Sequence, residues 1–339
     1  MRLLFELSGE HPELPAAEAE EVARTVSPGF LRLAREPGAL VLELLGAEQF
    51  PFERLAYAHA VHRHLFSCPA EDVAKRLGKM MDGEGALPRV PTARVRVSGF
   101  AGLRAAARDQ TLEKELGGVL HSRFKIDLVD PDLKLRVLLS DNAHAGIVLW
   151  EQEKKPIESR KAAHRPFFSP ISLGPKLARA MVNLSGCGGR ATVLDPFCGT
   201  GGILIEAGSM GLRVIGSDVD WRMVEGCLKN LEHFGIRGEV FKADIGEAAP
   251  LLGERTVDAI VTDLPYGRAS GTGGEKVAGI YERLFRTAGS VLGPGKRMVL
   301  AVHEPSLLPA SPQMRLLRHF EYRVHKSLTR HIMVWARDS

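Results

Sequence analysis

Four aspartates in the second half of the chain each follow a short apolar stretch, at positions where a carboxylate can bind or activate a polar ligand. They are Asp195 after TVL, Asp218 after LRVIGS, Asp244 after GEVFKA and Asp263 after VDAIVT. Apolar stretches that alternate with helical patterns predict buried parallel strands, whose carboxyl ends meet at one edge of the sheet. We therefore expect the four carboxylates to lie around one site.

A glycine-rich loop, DPFCGTGG, follows the first of these strands and extends from Asp195 to Gly202. Glycines let the backbone approach a ligand closely, because they carry no side chain. A phosphate-binding loop would need Gly-Lys-Ser/Thr, but Ile203 follows Gly202, and a dinucleotide fingerprint would need a glycine where Leu204 stands. The carboxylate of Asp195 would also repel a pyrophosphate, whereas it suits a ligand with a cationic amino group.

The next two aspartates fit the remaining groups of an adenosine-containing ligand. Asp218 lies about twenty residues beyond the loop, where a carboxylate can bind both hydroxyls of a ribose. Asp244 can accept a hydrogen bond from an adenine amino group. An amine, a ribose and an adenine together describe S-adenosyl-L-methionine, which we expect as the cofactor. The alternative is that these aspartates only form turns or cap helices.

The stretch VDAIVTDLPYGR, residues 257–268, ends a predicted strand in a carboxylate, a proline and an aromatic ring. The exocyclic amine of a nucleobase is a poor nucleophile, and two acceptors that hold its hydrogens would orient its lone pair. Asp263 would supply one acceptor and the carbonyl of Leu264 the other, with Pro265 keeping Leu264 extended. Tyr266 would stack on a base taken out of its helix. The alternative is an ordinary turn after a strand.

The composition is that of a globular protein with room for more than one domain. The 339 residues are 45% hydrophobic, which is enough for a sizeable core. The chain contains no run of about 18 apolar residues and no signal-peptide pattern, so we expect a cytoplasmic protein. The four cysteines form no CxxC pair, which argues against a zinc site or a disulfide framework. A net charge of +4 permits a polyanionic partner without requiring one.

The apolar spacing of the first half predicts a mixture of strands and helices. We predict strand, helix and strand from MRLLFEL, LPAAEAEEVARTV and ALVLELLG, and helices over FERLAYAHAVHRHLF and EDVAKRLGKM. A strand over ARVRVSG, a helix over TLEKELGGVLHSRF capped by Thr111, and two strands around the turn Ser140–Asn142 follow. A charged, proline-bearing linker separates this half from the alternating strands and helices. The expected segments are a first domain over 1–50, a second over 51–151, the linker over 152–166 and a third domain over 167–339.

The order of DPFCGTGG, GSDVD, KAD and TDLPYG resembles the amino-methyltransferase branch of the class I S-adenosylmethionine-dependent methyltransferases. This resemblance implies an α/β fold with a Rossmann-like, doubly wound, mostly parallel sheet. The catalytic signature of the branch is Asp/Asn-Pro-Pro-Tyr, from which this chain departs by Leu264 in place of the first proline. HRPFFSPISLGPKLARAMVNL resembles the segment that holds the methionine end, through packing of Phe168 and the backbone of Leu173. The cofactor-binding residues that the resemblance implies are Phe168, Leu173, Asp195, Phe197, Gly199, Thr200, Gly201, Gly202, Asp218, Val219, Asp244, Ile245 and Asp263.

The first half resembles a THUMP domain preceded by a small ferredoxin-like α+β domain, a pairing found in tRNA-modifying enzymes. The most specific part of this resemblance is IDLVDPDLKLRVLL. The resemblance implies that this half holds the acceptor end of a tRNA. Near the end of the chain, FEYRVHKSLTRHIMVW predicts a hairpin with one basic edge. The alternative for such basic residues is a solvated face balanced by nearby acids. The candidate RNA-binding residues are Arg94, Arg96, Arg104, Arg108, Arg268, Lys326 and Arg330.

The chain as a whole resembles the archaeal tRNA guanine-N2 methyltransferases that modify guanosine 10, and related enzymes act on guanosine 6. The same signature serves adenine-N6 methylation of ribosomal RNA or DNA, although the THUMP-like half argues against DNA. An RNA-binding protein without catalysis is disfavoured by the intact Asp263, Pro265 and Tyr266, and a dinucleotide-dependent oxidoreductase by Leu204. The sequence leaves open whether one or two methyl groups are added. We expect a monomer with tRNA as its partner, and an activating protein partner cannot be read from the sequence.

Overall fold

A computed structural model describes residues 1–83, 87–100, 110–169, 172–252, 256–265, 276–325 and 328–338. The chain forms two compact units, the first made of residues 1–52 and 57–152 and the second of residues 53–56 and 153–339. None of the described helices is long and apolar enough to cross a membrane. Five candidate site residues lie outside the described residues: Arg104, Arg108, Tyr266, Arg268 and Lys326.

The first unit is built on one mixed sheet. Its described strands are β1 Arg2–Leu7, β2 Leu31–Glu36, β3 Ala39–Glu43, β4 Ala58–Cys68, β5 Thr92–Gly99, β6 Lys125–Ile126, β7 Leu133–Leu139 and β8 Ala143–Glu151. They pair in the order β2-β3-β1-β4-β8-β7-β5-β6. The helices are α1 Leu14–Val26, α2 Val73–Asp82 and α3 Thr111–His121. β1 and β4 pair directly, so strands from both expected N-terminal domains belong to the same sheet. The expected boundary between these two domains at residue 50 stays a prediction.

The helix expected over FERLAYAHAVHRHLF is wrong. A short 3-10 turn at Phe52–Arg54 is followed by β4, which pairs with β1 on one side and with β8 on the other. The register of β4 against β8 shifts between Val61 and His62 and again between His64 and Phe66. Such bulges interrupt the strict alternation of a strand, and the interrupted apolar spacing looks helical in the sequence.

Two further details of the first unit differ from expectation. Thr111 is the first residue of α3 and not its cap, because the capping position belongs to Gln110, which makes no side-chain capping bond and has φ +56°. The strand β2 was not expected. It is an exposed edge strand that pairs only with β3 among the described strands, and its sequence LRLARE shows little contrast between two faces.

The second unit has the expected doubly wound sheet. Its described strands are β9 Thr192–Asp195, β10 Arg213–Asp218, β11 Gly238–Lys242, β12 Val257–Asp263, β13 Leu292–Val302, β14 Met314–His325 and β15 Leu328–Arg337. They pair in the order β11-β10-β9-β12-β13-β15-β14, with β9 to β13 parallel and the last two strands antiparallel. The chain steps outward from β9 to β11 and then returns to place β12 on the other side of β9. Ligands of such sheets bind where the strand order reverses in this way, which is between β9 and β12.

Helices cover this sheet, and their apolar faces form its core. Their bounds are α4 Lys154–Glu158, α5 Pro175–Leu184, α6 Gly202–Ser209, α7 Trp221–His233, α8 Ile245–Leu252 and α9 Val277–Val291. Helix α4 lies inside the segment expected to be a linker. On one face of the sheet, Leu284 and Phe285 of α9 pack with Ile260, Met298 and Leu264. This packing holds the end of β12, where Asp263 lies.

A buried ion cluster fixes the helix that follows the glycine-rich loop. Glu206 of α6 has no exposed surface and accepts two hydrogen bonds from Arg160, at 2.7 and 3.1 Å, and one from Arg179 of α5 at 2.8 Å. The Arg179 guanidinium also donates to Ser209 Oγ at 2.8 Å. The segment before the sheet is thereby tied to α6, and through it to the loop that precedes α6.

We expect Glu206→Ala to destabilise the protein strongly, because it would leave two buried guanidinium groups without their carboxylate. Breaking a buried pair in this way costs about 3–5 kcal/mol. Thermal and urea unfolding measured by circular dichroism would show the shift. Glu225→Ala, at an exposed position on α7, is the matched control and should change stability by less than about 0.5 kcal/mol. Equal melting of the two variants would contradict the role of the cluster.

Candidate active site

The strand ends place Asp195 where the charges of Asp218 and Asp263 act on it. Asp195 ends β9 and is only 2% exposed, and its Oδ1 accepts a hydrogen bond from Thr262 Oγ1 at 2.6 Å. Its second donor is the Phe197 amide at 3.2 Å. Burial raises the pKa of Asp195 to about 7; these two donors oppose the rise and the charges of Asp263 and Asp218 add to it. Three of the four expected strand-end carboxylates are thus near one another, and their roles in binding stay predictions.

The glycine-rich loop is tied to the end of the neighbouring strand. The amide of Gly199 donates to Asp218 Oδ2 at 3.0 Å, and Gly199 has φ +49°. Gly201 has φ +81° at the start of α6, and a Cβ there would lie 2.7 Å from Cys227 Sγ. Both backbone conformations favour glycine, so the loop keeps its path only with glycine at these two positions.

Two loop residues expected to bind cofactor have side chains that contact the protein itself. Thr200 is buried, and its Oγ1 accepts a bond from Arg165 Nη1 at 3.4 Å and lies 3.2 Å from Ser172 Oγ. Phe197 is half-buried and packs against the core under β12. A Cβ on Gly202 would lie 3.2 Å from Arg165 Nη1. Any contribution of these loop residues to cofactor binding would therefore come mainly from their backbone.

Asp218 is held at the end of β10 by backbone donors. Besides the Gly199 amide, its carboxylate accepts the Asp220 amide at 2.9 Å. Burial raises the pKa of Asp218, while these two amides oppose the rise. Asp220 caps α7 by accepting the Arg222 amide at 2.9 Å. Val219, between the two aspartates, is 48% exposed, so a carboxylate and an apolar surface lie side by side.

Asp244 differs from the other three because a cation holds it. Arg283 of α9 donates to both of its oxygens, at 3.1 and 3.0 Å, and the Gly246 amide donates at 2.8 Å. Burial acts to raise the pKa of Asp244, but the Gly246 amide and Arg283 keep it below the usual value. Ile245, also expected near the cofactor, is buried in the core. The adenine contact of Asp244 stays a prediction, and Arg283 was not identified from the sequence.

Asp263 ends β12 with one oxygen paired and one oxygen unused. Its Oδ2 lies 3.5 Å from Arg330 Nη2 of β15. Its Oδ1 is buried and has no hydrogen-bond partner among the described residues. About 20% of the side chain is exposed. Burial raises the pKa of Asp263 to about 6, against the charge of Arg330. A carboxylate in this state can accept a hydrogen bond from a substrate.

The two residues after Asp263 are held by the sheet and by α9. The Leu264 amide donates to Ala301 O at 2.9 Å, and its side chain is buried in the core. The carbonyl of Pro265 accepts a bond from the Tyr281 hydroxyl at 3.0 Å. Leucine in place of the first proline of the signature thus adds a core contact. Tyr281 was missed in the sequence, where it resembles any other apolar residue of an amphipathic helix.

The segment before the sheet reaches the loop through Asn230 of α7. Asn230 is fully buried, donates from Nδ2 to Phe167 O and to Thr200 O, each at 2.9 Å, and accepts the Phe167 amide at 2.9 Å. The next ring, Phe168, is 56% exposed, whereas Leu173 is buried. An exposed ring beside the loop is available to pack on a ligand. Asn230 was not identified from the sequence; the signal there is a single asparagine on the apolar face of a predicted helix.

Two of the basic candidates in the first unit, Arg94 and Arg96, share a face of β5. Arg94 donates to Leu128 O at 2.8 Å, and Arg96 pairs with Glu113 at 2.7 Å, both at partly exposed positions. Their contact with RNA stays a prediction. Within the described ranges, no group of three or more His, Cys, Asp or Glu residues is placed to hold a metal ion.

Arg330 requires a correction of its expected position. The sequence places it on an exposed basic edge of the last hairpin, but it is only 9% exposed and lies beside Asp263. It belongs to the strand-end site of the second unit, and its expected contact with RNA stays a prediction without an exposed guanidinium to support it.

Comparisons with known proteins show the family and the fold of this chain. A family model described as an RMKL-like methyltransferase domain matches residues 162–332. A tRNA (guanine(10)-N2)-dimethyltransferase of Methanothermobacter thermautotrophicus is 37% identical over 348 residues, which cover 99% of this chain and 100% of that protein. One from Pyrococcus abyssi is 39% identical over 236 residues, 66% of this chain and 68% of that protein. The crystal structure of TrmN from Thermus thermophilus has the same fold, with a TM-score of 0.54 and 23% identity over 99% of this chain and 100% of that one.

The match to the first of these relatives extends over both chains almost completely and includes both units of the fold. The match to the methyltransferase domain covers the strand ends with Asp195, Asp218 and Asp263. The chain therefore belongs to the tRNA (guanine(10)-N2)-dimethyltransferase family.

Proposed function

We propose that this protein transfers methyl groups from S-adenosylmethionine to the N2 atom of guanosine 10 in tRNA. The observation that carries the proposal is Asp263, whose buried Oδ1 has no described partner at the end of the strand beside the glycine-rich loop. The full-length similarity to tRNA (guanine(10)-N2)-dimethyltransferases supports the position and the addition of two methyl groups.

The residues around the strand ends fit the cofactor. Asp195 is a buried carboxylate whose neighbours are a hydroxyl, an amide and two further carboxylates, so a cationic amino group would stabilise its charged form. Asp218 would accept the hydroxyls of the ribose, with Val219 as apolar surface for the adenine. Phe168 would pack on the methionine end. The loop glycines would let the backbone approach the cofactor closely.

Asp263 would hold the substrate amine during transfer. When bound, the cofactor supplies an electrophilic methyl group. The unused Oδ1 of Asp263 accepts a hydrogen from the guanine N2 amine, which orients the nitrogen lone pair away from the ring. The Leu264 carbonyl supplies the second acceptor, and the Tyr281 bond to Pro265 holds the peptide that follows. The amine becomes positively charged as it is methylated, and the nearby carboxylate stabilises that charge and can take the released proton.

The remaining parts of the proposal concern the RNA. The first unit would hold the tRNA, with Arg94 and Arg96 as contacts to phosphates. Tyr266 would stack on the base, as expected from the sequence. The basic candidates outside the described residues keep their expected role in binding RNA; they are Arg104, Arg108, Arg268 and Lys326. We expect the protein to act as a monomer in the cytoplasm, where tRNA is modified.

We expect Asp263→Ala to lose about 10²–10³-fold in methyl transfer, the usual cost of removing one group that stabilises a transition state. Binding of S-adenosylhomocysteine, measured by calorimetry, should change by less than about threefold, because most of the expected cofactor contacts come from residues other than Asp263. Glu225→Ala, at an exposed position on α7, is the control. Unchanged turnover of Asp263→Ala would contradict the role of this residue.

The test of the substrate uses methyl-labelled cofactor and an unmodified tRNA transcript, followed by nuclease digestion and mapping of the labelled nucleoside. We expect N2-methylguanosine and then N2,N2-dimethylguanosine at position 10. Label at position 6 would keep the chemistry and overturn the position, whereas label in an adenosine would overturn the proposed acceptor group.

The pH dependence of stability tests the state of Asp195. A carboxyl whose pKa is higher in the folded protein than in the unfolded chain binds more protons when folded, so stability falls as pH rises between the two values. For Asp195 this window extends from about 4 to about 7. His64, whose pKa burial lowers to about 4, acts in the opposite direction over the same window, so the test is the difference between the two proteins. We expect the melting temperature of the ligand-free wild type, relative to that of Asp195→Asn, to fall as pH rises across this window. Equal slopes for wild type and variant would contradict the raised pKa.

Asp218→Asn should weaken cofactor binding while its single amide oxygen still accepts the Gly199 N–H, although its NH2 group cannot accept the Asp220 N–H. Hydrogen bonds to a charged group contribute about 1.5–3 kcal/mol, so the Kd for S-adenosylhomocysteine should rise about 10- to 100-fold. Asp220→Asn is the matched control, since asparagine also caps a helix well. Calorimetry that finds equal affinity in both variants would contradict the ribose contact.

A further inference from the structure

The order of the strands brings Arg330 to Asp263. Asp263 of β12 is paired with Ala301 of β13, and Ala301 is paired with Ile332 of β15. Side chains two residues apart on a strand share a face, so Arg330 lies on the face of the sheet that carries Asp263. The small side chain of Ala301 separates them and leaves the guanidinium room to reach Oδ2, at 3.5 Å.

The burial of this pair argues for a role other than surface binding. Arg330 is 9% exposed, and removing a guanidinium and a carboxylate from water costs free energy that their attraction only partly repays. A phosphate contact would need the guanidinium at the surface. Arg330 instead touches one oxygen of the carboxylate whose other oxygen has no described partner.

We propose that Arg330 is a positioning residue that holds Oδ2 of Asp263 and keeps the carboxylate ionised, so that Oδ1 can accept a hydrogen from the guanine amine. This inference rests on the proposed function of Asp263. A protonated Asp263 would donate a hydrogen bond and could not grip an amine through that oxygen, so the ionised form is the active one.

Among the described residues around Asp263, Arg330 is the cation that lies beside the carboxylate. Asp195 of β9 is a carboxylate, and Tyr281 of α9 is a phenol whose own pKa is raised by burial and by nearby carboxylates, Asp263 included. His303, just beyond β13, is bonded to Thr329 O at 3.1 Å. Burial raises the pKa of Asp263, and Arg330 is the group that opposes the rise. Without the guanidinium, both burial and the neighbouring carboxylate would favour the protonated form.

The test compares the pH dependence of kcat/KM, from pH 5 to pH 9, for the full-length wild type, Arg330→Met and Arg330→Lys with the tRNA transcript. Arg330→Met should move the acidic limb upward by about one pH unit or more, which is a tenfold loss on that limb, and should regain part of its activity at pH 9. Arg330→Lys keeps the charge and should lie closer to the wild type. Arg237→Met, at an exposed position just before β11, should leave the profile unmoved.

A readout without turnover follows the carboxyl signal of Asp263 by NMR with ¹³C-labelled aspartate, assigned with Asp263→Asn. Its titration should move to higher pH in Arg330→Met, while S-adenosylhomocysteine binding shows that the variant is folded. An unmoved titration, or a loss of activity equal at every pH with weaker and less salt-dependent tRNA binding, would overturn the proposal and make Arg330 a phosphate contact. Absence of transfer by the wild type to any guanosine would overturn the proposed function instead.

Discussion

The second unit depends on one electrostatic constraint, which is that parallel strand ends place several carboxylates in one poorly hydrated region. Charges of the same sign in a buried place repel each other and lose solvation. Each of the carboxylates is tolerated because a specific donor is built next to it: the Thr262 hydroxyl for Asp195, the Gly199 amide for Asp218 and a guanidinium for Asp263. The positions of β12, of the glycine-rich loop and of the last hairpin all serve these contacts.

The different donors give chemically similar side chains different tasks. Asp195 has neutral donors and acidic neighbours, so it is the carboxylate that gains most from a cationic ligand. Asp244 accepts hydrogen bonds from Arg283 on both oxygens, which keeps its pKa low and its carboxylate ionised. Asp263 lies between these extremes, with one oxygen held and one oxygen open. Side-chain identity alone would not separate the three, because their partners come from other strands and helices.

The sequence predicts what depends on local pattern. The strands that end in Asp195, Asp218 and Asp263, the glycine loop and the final hairpin could all be predicted, because apolar runs and glycines carry local signals. The helix expected over FERLAYAHAVHRHLF was wrong because two bulges interrupt the alternation of β4. The position of Arg330 could not be predicted, since it depends on sheet order, and a buried arginine has the same letter as an exposed one.

Two hydrogen bonds of the site join residues at very different separations along the chain. The bond from Gly199 to Asp218 spans 19 residues, whereas that from Thr262 to Asp195 spans 67. Closing the longer loop costs the folding chain more entropy. Asp195 belongs to the cofactor side of the site and Thr262 to the strand that ends in Asp263, so the bond between them couples the two sides. The cofactor side is therefore complete only when β12 is in place, and binding of S-adenosylhomocysteine reports on the strand that carries Asp263 as well.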